Sequence, residues 1–380
     1  VGKRHPCRRH PSRPTIGLVV LARDEEQSLP RLLGSIADHV DEVVLVDTGS
    51  TDRTVSLFEG WARETGTAHT VGRFRWVDDF VLARAYADSL ASCDWLVWAD
   101  ADDEIRGAEH LRRLAAGAPR RIAGFAMDYA YAFDASGNCS SRYPRERLVR
   151  AGRGAWGGNR IHAVKAVDGP VRYVPPMVVE WVHHKRPGAD VASSAWRLRA
   201  LRDQLTDEPD SADVLCYLGC EELFAAELDA AIGHFQRYLD VRSEWDDERA
   251  WITRKLAESR MRQRHFREVL EPAREALRQV PGWPDSCLTL CEAYYHLGDM
   301  GAAAYWAKQV IRRGVPKTVL DINPLNYTQQ PRLILADCYA RGERPDAAID
   351  LYRKCLAITP DDERIRAELA RLETQLPTGP

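Results

Sequence analysis

The sequence predicts an α/β domain on a mostly parallel sheet, followed by an all-α domain of helical repeats. Three observations carry that reading. Apolar, strand-like runs alternate with helical stretches up to about residue 190, strand signals almost vanish from about Ser193, and the second half repeats itself.

The elements follow in order. Thr15–Leu21 is a continuous apolar run and reads as a buried strand. Ser28–His39 carries Leu29, Leu32, Leu33 and Ile36 at helical spacing. Glu42–Asp47 reads as a second strand, Thr51–Glu64 as a second helix and Trp95–Ala99 as a further strand that ends in Asp100-Ala101-Asp102-Asp103. Strand, helix, strand at this spacing calls for parallel strands, whose carboxyl ends share one edge where ligands collect. Asp24, Asp47 and Asp100 all fall there. From Ile122 to His184 the aromatic alternation of Phe125–Tyr131 suggests antiparallel strands.

In the second half, Gly219, Ala231, Phe235 and Tyr238 share a register with Ala257, Val269, Ala273 and Ala276. A third copy supplies Cys291, Tyr294, Gly298, Ala303 and Ala307, and a fourth Ala336, Tyr339, Ala348, Tyr352 and Pro360. Ala257 and Cys291 are 34 residues apart, the period of tetratricopeptide (TPR) repeats. Small residues let paired helices cross closely and large ones fill the next groove. An insertion is expected around Pro316–Pro331. The expected organisation is a basic tail over 1–14, an α/β domain over 15–190 and TPR-like repeats over 191–376.

Composition narrows the partners. The 380 residues carry a net charge of −3, so no global field points to nucleic acid or an anionic membrane. No apolar run reaches the length of a bilayer span, and no apolar segment follows the basic N-terminus as a secretory signal requires. Nine scattered cysteines without a Cys-x-x-Cys pair fit reduced thiols, and a cytoplasmic location is expected. Eleven tryptophans are the compositional oddity.

Asp100-Ala101-Asp102 at a strand end presents two carboxylates at a loop, the oxygen donors that Mg²⁺ or Mn²⁺ takes beside phosphates and water. Motif order extends this. Leu21-Ala22-Arg23-Asp24-Glu25-Glu26, then Val46-Asp47-Thr48-Gly49-Ser50-Thr51-Asp52-Arg53-Thr54, then Phe74–Arg84 and Trp95–Asp103 together resemble the GT-A-fold family 2 glycosyltransferases. With the repeats, the chain is similar to the TPR-bearing subgroup that includes peptide S-glycosyltransferases. The resemblance implies a GT-A-like nucleotide-binding domain over residues 15–190.

It also implies roles. Asp47 would bond the donor's uracil, while Ala22, Arg23, Asp24, Glu25, Ser50 and Asp52 belong to the nucleotide-contacting loops. Arg84 would stand near the diphosphate. Asp100 and Asp102 would serve metal and sugar nucleotide, Asp102 as the direct ligand. Asp24 and Ala85 stand where the family commonly has asparagine, and His162-Ala163 where the subgroup usually has His-Glu. The base that deprotonates the acceptor is left between His162, Glu180 and Asp103, or is dispensable for a thiol acceptor. A histidine commonly completes the metal shell. Adjacent side chains on an extended segment point opposite ways, so one of His183 and His184 can reach the ion, and His184 is the expected one.

Trp156 is expected as a sugar-stacking platform and Trp95 and Trp98 as core. Trp196, Trp245, Trp251, Trp283 and Trp306 are expected to pack the repeats. The expected function is metal-dependent, inverting transfer of a sugar from a UDP-sugar to a protein or peptide acceptor recognised with the TPR domain. Mn²⁺ or Mg²⁺ is the cofactor, no nucleic acid or membrane span is expected, and a homodimer is an allowed assembly. The alternatives are a TPR scaffold with a degenerate transferase domain, or a nucleotidyltransferase.

Overall fold

A computed structural model describes residues 13–184, 189–244, 246–342 and 344–375; the side chains of 189–193 are outside it. Most of the expected basic tail, Lys185 and Trp245 therefore lie outside the described residues. The chain divides into two compact units, residues up to 131 with 143–204, and residues 132–142 with 205 onward.

The first unit starts with β1 (Ile16–Ala22), buried along almost its whole length, as a strand covered on both faces must be. The helix α1 (Leu29–Ile36) buries the four apolar residues expected of it and has proline in its first turn, where a missing N–H costs nothing. It is shorter than Ser28–His39 because Ala37–His39 tighten into a 3₁₀ turn. Next come β2 (Glu42–Asp47), α2 (Thr54–Thr65), β3 (Ala68–Arg73), α3 (Phe80–Leu90) and β4 (Trp95–Asp100). The second helix begins at Thr54 rather than Thr51 because the N–H groups of Thr51 and Asp52 bond the Asp24 carboxylate instead of opening a helix.

A short β5 (Asp103–Arg106) and α4 (Leu111–Ala116) precede β6 (Gly124–Phe133) and β7 (Cys139–Arg150). Then follow β8 (Gly154–Gly158), β9 (Ala163–Val167), β10 (Val171–Val174), β11 (Glu180–His183) and α5 (Ala189–Asp207). The main sheet has the order β3-β2-β1-β4-β7-β6-β11-β5, with β10 also on β6, while β8 and β9 form a separate hairpin. The strands β1 to β4 are parallel, and β4 pairs antiparallel with β7. Their carboxyl ends are aligned by register, with Ala22 beside Asp47 and Leu21 beside Asp100. Trp95 and Trp181 are wholly buried in the core under this sheet.

The second unit is a run of helix pairs: α6 (Ala212–Phe224) with α7 (Leu228–Val241), α8 (Asp247–Arg262) with α9 (Leu270–Gln279), and α10 (Pro284–His296) with α11 (Met300–Arg313). After a short α12 (Leu325–Thr328) inside the expected insertion come α13 (Gln330–Arg341), α14 (Pro345–Leu356) and α15 (Glu363–Gln375). The repeat register has a direct steric cause. A methyl group on Gly219 would lie 2.6 Å from the Phe235 ring, so only glycine admits this crossing. Ser211, Asp246 and Asp299 cap their helices with side-chain oxygens. Residues 132–142 join this unit through a bridge between Arg142 and Ile322 and a Ser141–Asp321 hydrogen bond of 2.7 Å. No disulfide forms among the described cysteines, and no helix among the described residues is long and apolar enough to cross a membrane.

Candidate active site

The carboxyl ends of the parallel strands open into a cavity of about 430 Å³. Leu21, Ala22, Arg23 and Glu25 line it from the end of β1 and Thr48 from the end of β2. Asp100, Ala101 and Asp102 follow from β4, and Trp76, Asp78, Phe80 and Trp196 form an aromatic side.

The acidic end rests on a buried frame. Asp103 is fully buried and accepts hydrogen bonds from the Asp100 N–H (2.9 Å) and the Tyr129 hydroxyl (2.8 Å). Arg147, also fully buried, stands 3.8 Å from it and lies between the rings of Trp98 and Tyr129. Asp103 therefore fixes the turn that carries Asp100 and Asp102. Asp100 receives the Arg84 guanidinium at 2.6 Å. Although burial alone would raise its pKa, Arg84, Arg147 and His183 hold it down at about 2. No arginine among the described residues pairs with Asp102. Burial, with the charges of Asp100, Asp103 and Glu25, pushes its carboxyl up to about 7 against the opposing pull of His183.

Register sets the two adjacent histidines apart. On β11, His183 sits opposite Asp103 of antiparallel β5, and directly opposed residues share a face. Its Nδ1 lies 3.2 Å from Asp103 and 3.4 Å from Asp102. His184 passes the strand end, donates its N–H to the Asp102 carbonyl and pairs its Nε2 with Glu104 at 2.8 Å. Asp102, Asp103 and His183 offer ligand atoms within 4.8 Å of one another. Burial works to lower the His183 pKa, but the bond to Asp103 and the surrounding carboxylates raise it.

The other expected residues have the following places. The Asp24 carboxylate, on a backbone with φ of 55°, accepts from Thr51 (2.7 Å) and Asp52 (3.2 Å), and Ser50 accepts from the Asp24 N–H. Asp52 accepts from the Glu26 N–H. Asp24, Ser50 and Asp52 thus lock the two loops together and none lines the cavity. Asp47 caps its own turn by accepting from the Ser50 N–H, and Thr48 is the cavity residue there. Trp156 donates to Asp88 and lies 5.0 Å from the Arg84 guanidinium, so it seats Arg84 and does not line the cavity. Glu180 faces Arg106 and lies on the other face of β11 from His183, and His162 occupies the β8–β9 turn; neither lines the cavity.

Sequence reasoning missed Tyr129, Arg147 and Trp196. Tyr129 lay in the alternating run Phe125–Tyr131, yet nothing there indicated that its hydroxyl meets Asp103. Arg147 had no signal, being one arginine in a charged strand. Trp196 had been assigned to repeat packing; it lies in the first unit with Trp76, at a ring separation of 5.9 Å.

A parallel sheet whose strand ends carry this acidic cluster fits the family comparison. Residues 18–147 match the glycosyl transferase family 2 model. That region is a family 2 glycosyltransferase domain. Residues 330–372 match the tetratricopeptide repeat model, so the transferase domain is followed by TPR repeats. The SPbeta prophage-derived glycosyltransferase SunS of Bacillus subtilis is 22% identical over 251 residues, 63% of this chain and 56% of that one. An uncharacterized glycosyltransferase of Rickettsia felis is 30% identical over 90 residues, 24% of this chain and 29% of that protein. A TPR repeat-containing protein of Synechococcus elongatus is 42% identical over 92 residues, 24% of this chain and 21% of that protein. The chain thus spans between 21% and 56% of the length of these relatives.

The donor set suits a divalent cation. Two carboxylates and an imidazole are ligands that Mn²⁺ accepts readily and Mg²⁺ accepts through the oxygens.

Proposed function

We propose that the chain is a metal-dependent glycosyltransferase that moves a sugar from a UDP-sugar to a protein or peptide acceptor engaged by its TPR repeats. The observation that carries this reading is the cluster of Asp102, Asp103 and His183 beside a cavity at the strand ends of a family 2 domain. Asp102 and His183 would hold Mn²⁺ or Mg²⁺, with Asp103 behind them. When bound, such a cation stabilises the charge that develops on a nucleoside diphosphate leaving group.

The chain's own residues do the positioning. Arg84, seated between Trp98 and Trp156, neutralises Asp100, so one carboxylate of the pair is matched and Asp102 remains for the cation. Leu21, Ala22 and Thr48 line the part of the cavity where a nucleoside would lie. The repeats hold a cavity of about 680 Å³ lined by charged and polar side chains such as Arg254, Glu292 and Asp337, and TPR arrays bind extended chains on such surfaces.

The test is release of UDP from a panel of UDP-sugars with Mn²⁺ or Mg²⁺ present. Release that needs the cation and disappears in Asp102→Ala supports the reading. Release that persists unchanged in EDTA, or no release with any donor while UDP still binds, contradicts it.

A further inference from the structure

The aromatic side of the cavity has a construction that the catalytic reading does not use. The indole N–H groups of Trp76 and Trp196 both donate to one oxygen of Asp78, each at 2.8 Å. Phe80 closes the group, with its ring 4.8 Å from Trp76 and 6.2 Å from Trp196. Asp78 holds a left-handed backbone with φ of 57°, a conformation that aspartate tolerates better than most residues. One carboxylate on a left-handed backbone thus satisfies the polar edges of two indoles that stand at 49° to each other, and both half-buried residues line the cavity.

Sheet order separates these rings from Asp102. Trp76 follows β3, the edge strand in the order β3-β2-β1-β4, whereas Asp102 follows β4. Neighbouring strands are roughly 4.8 Å apart, so β2 and β3 lie roughly 10 and 14 Å from β4. A nucleoside diphosphate held by its phosphates near Asp102, with its base toward β2, would reach these rings.

We infer that Trp76 and Trp196, aligned by Asp78, form an aromatic wall against which the nucleobase of the donor stacks. The helix α5 then contributes to the nucleotide site from outside the matched family region, which ends at residue 147. Every base has a flat π-face, so the wall supplies affinity and orientation, while base choice comes from polar groups at the strand ends. This rests on the proposed nucleotide-sugar site.

Calorimetry tests it with UDP, GDP and ADP in Mn²⁺, taking forward whichever binds the intact protein most tightly. Trp196→Ala and Trp76→Ala are each expected to weaken that nucleotide by about ten- to hundredfold. The corresponding nucleoside monophosphate is expected to weaken by the same factor, because the lost contact is to the base. Trp196→Phe is expected to stay within about threefold, because an aromatic face remains. Asp78→Ala frees both rings and is expected to cost about three- to tenfold. Far-UV circular dichroism and Mn²⁺ affinity should not move in these variants. Should Trp196→Ala fail to fold, the Trp76→Phe/Trp196→Phe double variant replaces it: nucleotide-induced quenching of tryptophan fluorescence should be lost. Unchanged nucleotide affinity in folded Trp196→Ala, or a defect seen only in acceptor KM, overturns the wall and leaves the donor-site reading standing. An intact protein that binds none of the three nucleotides with Mn²⁺ overturns the donor-site reading, and the wall with it.

Discussion

Both units bury carboxylates, and they treat them in opposite ways. In the repeats the shielded acids Asp285, Glu292 and Asp337 each have a local partner. Asp285 takes the Tyr327 hydroxyl at 2.9 Å, Glu292 takes the Arg254 guanidinium at 2.6 Å, and Asp337 takes the hydroxyls of Tyr295 and Tyr352 at 2.6 and 2.5 Å. At the end of β4, Asp100, Asp102 and Asp103 crowd together with Glu25 nearby, and two arginines stand against them. Matched acids hold helices in place. A crowded group in which no described arginine pairs with Asp102 is the arrangement that the proposed cation would complete.

Breaking the unmatched side should silence chemistry and leave the fold intact. Asp102→Ala is expected to lower cation-dependent UDP release by about 10²–10³-fold with little change in Tm, read by a coupled UDP assay and thermal scanning. Breaking the matched side should do the reverse. Arg254→Ala strands Glu292 and is expected to destabilise the protein by about 3 kcal/mol, visible as a lower urea midpoint, while UDP release at saturating donor is retained.

The next contrast lies within the acidic group. His183→Ala is expected to weaken Mn²⁺ about ten- to hundredfold, whereas His184→Ala, which removes a partner of Glu104, should change it less than about threefold. Equal effects from both would contradict the register argument. The smallest effect belongs to the repeats. Gly219→Ala pushes a methyl group against Phe235 and is expected to cost about 1–3 kcal/mol in urea unfolding without altering donor binding.

That His183/His184 pair shows where sequence reading stops. The strands β1, β2 and β4, and hence the shared edge of Asp47 and Asp100, were legible because long apolar runs admit one reading. The TPR pairs were legible for a similar reason, since close helix crossings demand small residues such as Gly219 at fixed intervals. Which of two adjacent histidines faces the acids depends on how a four-residue strand registers with β5, and four residues carry too little pattern to show it. The β3 strand, Ala-His-Thr-Val-Gly-Arg, was missed because its apolar alternation is broken by His69 and Gly72. Asp24 and Asp52 accept loop N–H groups across the β1 and β2 loops, contacts that only the three-dimensional structure shows. Trp196 was misplaced because helical spacing does not tell which unit a helix residue joins.

The most direct measurement is calorimetric titration of UDP into the intact chain and into Asp102→Ala, with Mn²⁺ and again with EDTA. The account predicts binding by the intact chain in Mn²⁺, at least tenfold weaker binding in EDTA, and no gain from Mn²⁺ in Asp102→Ala. Equal affinity in all four titrations would contradict it.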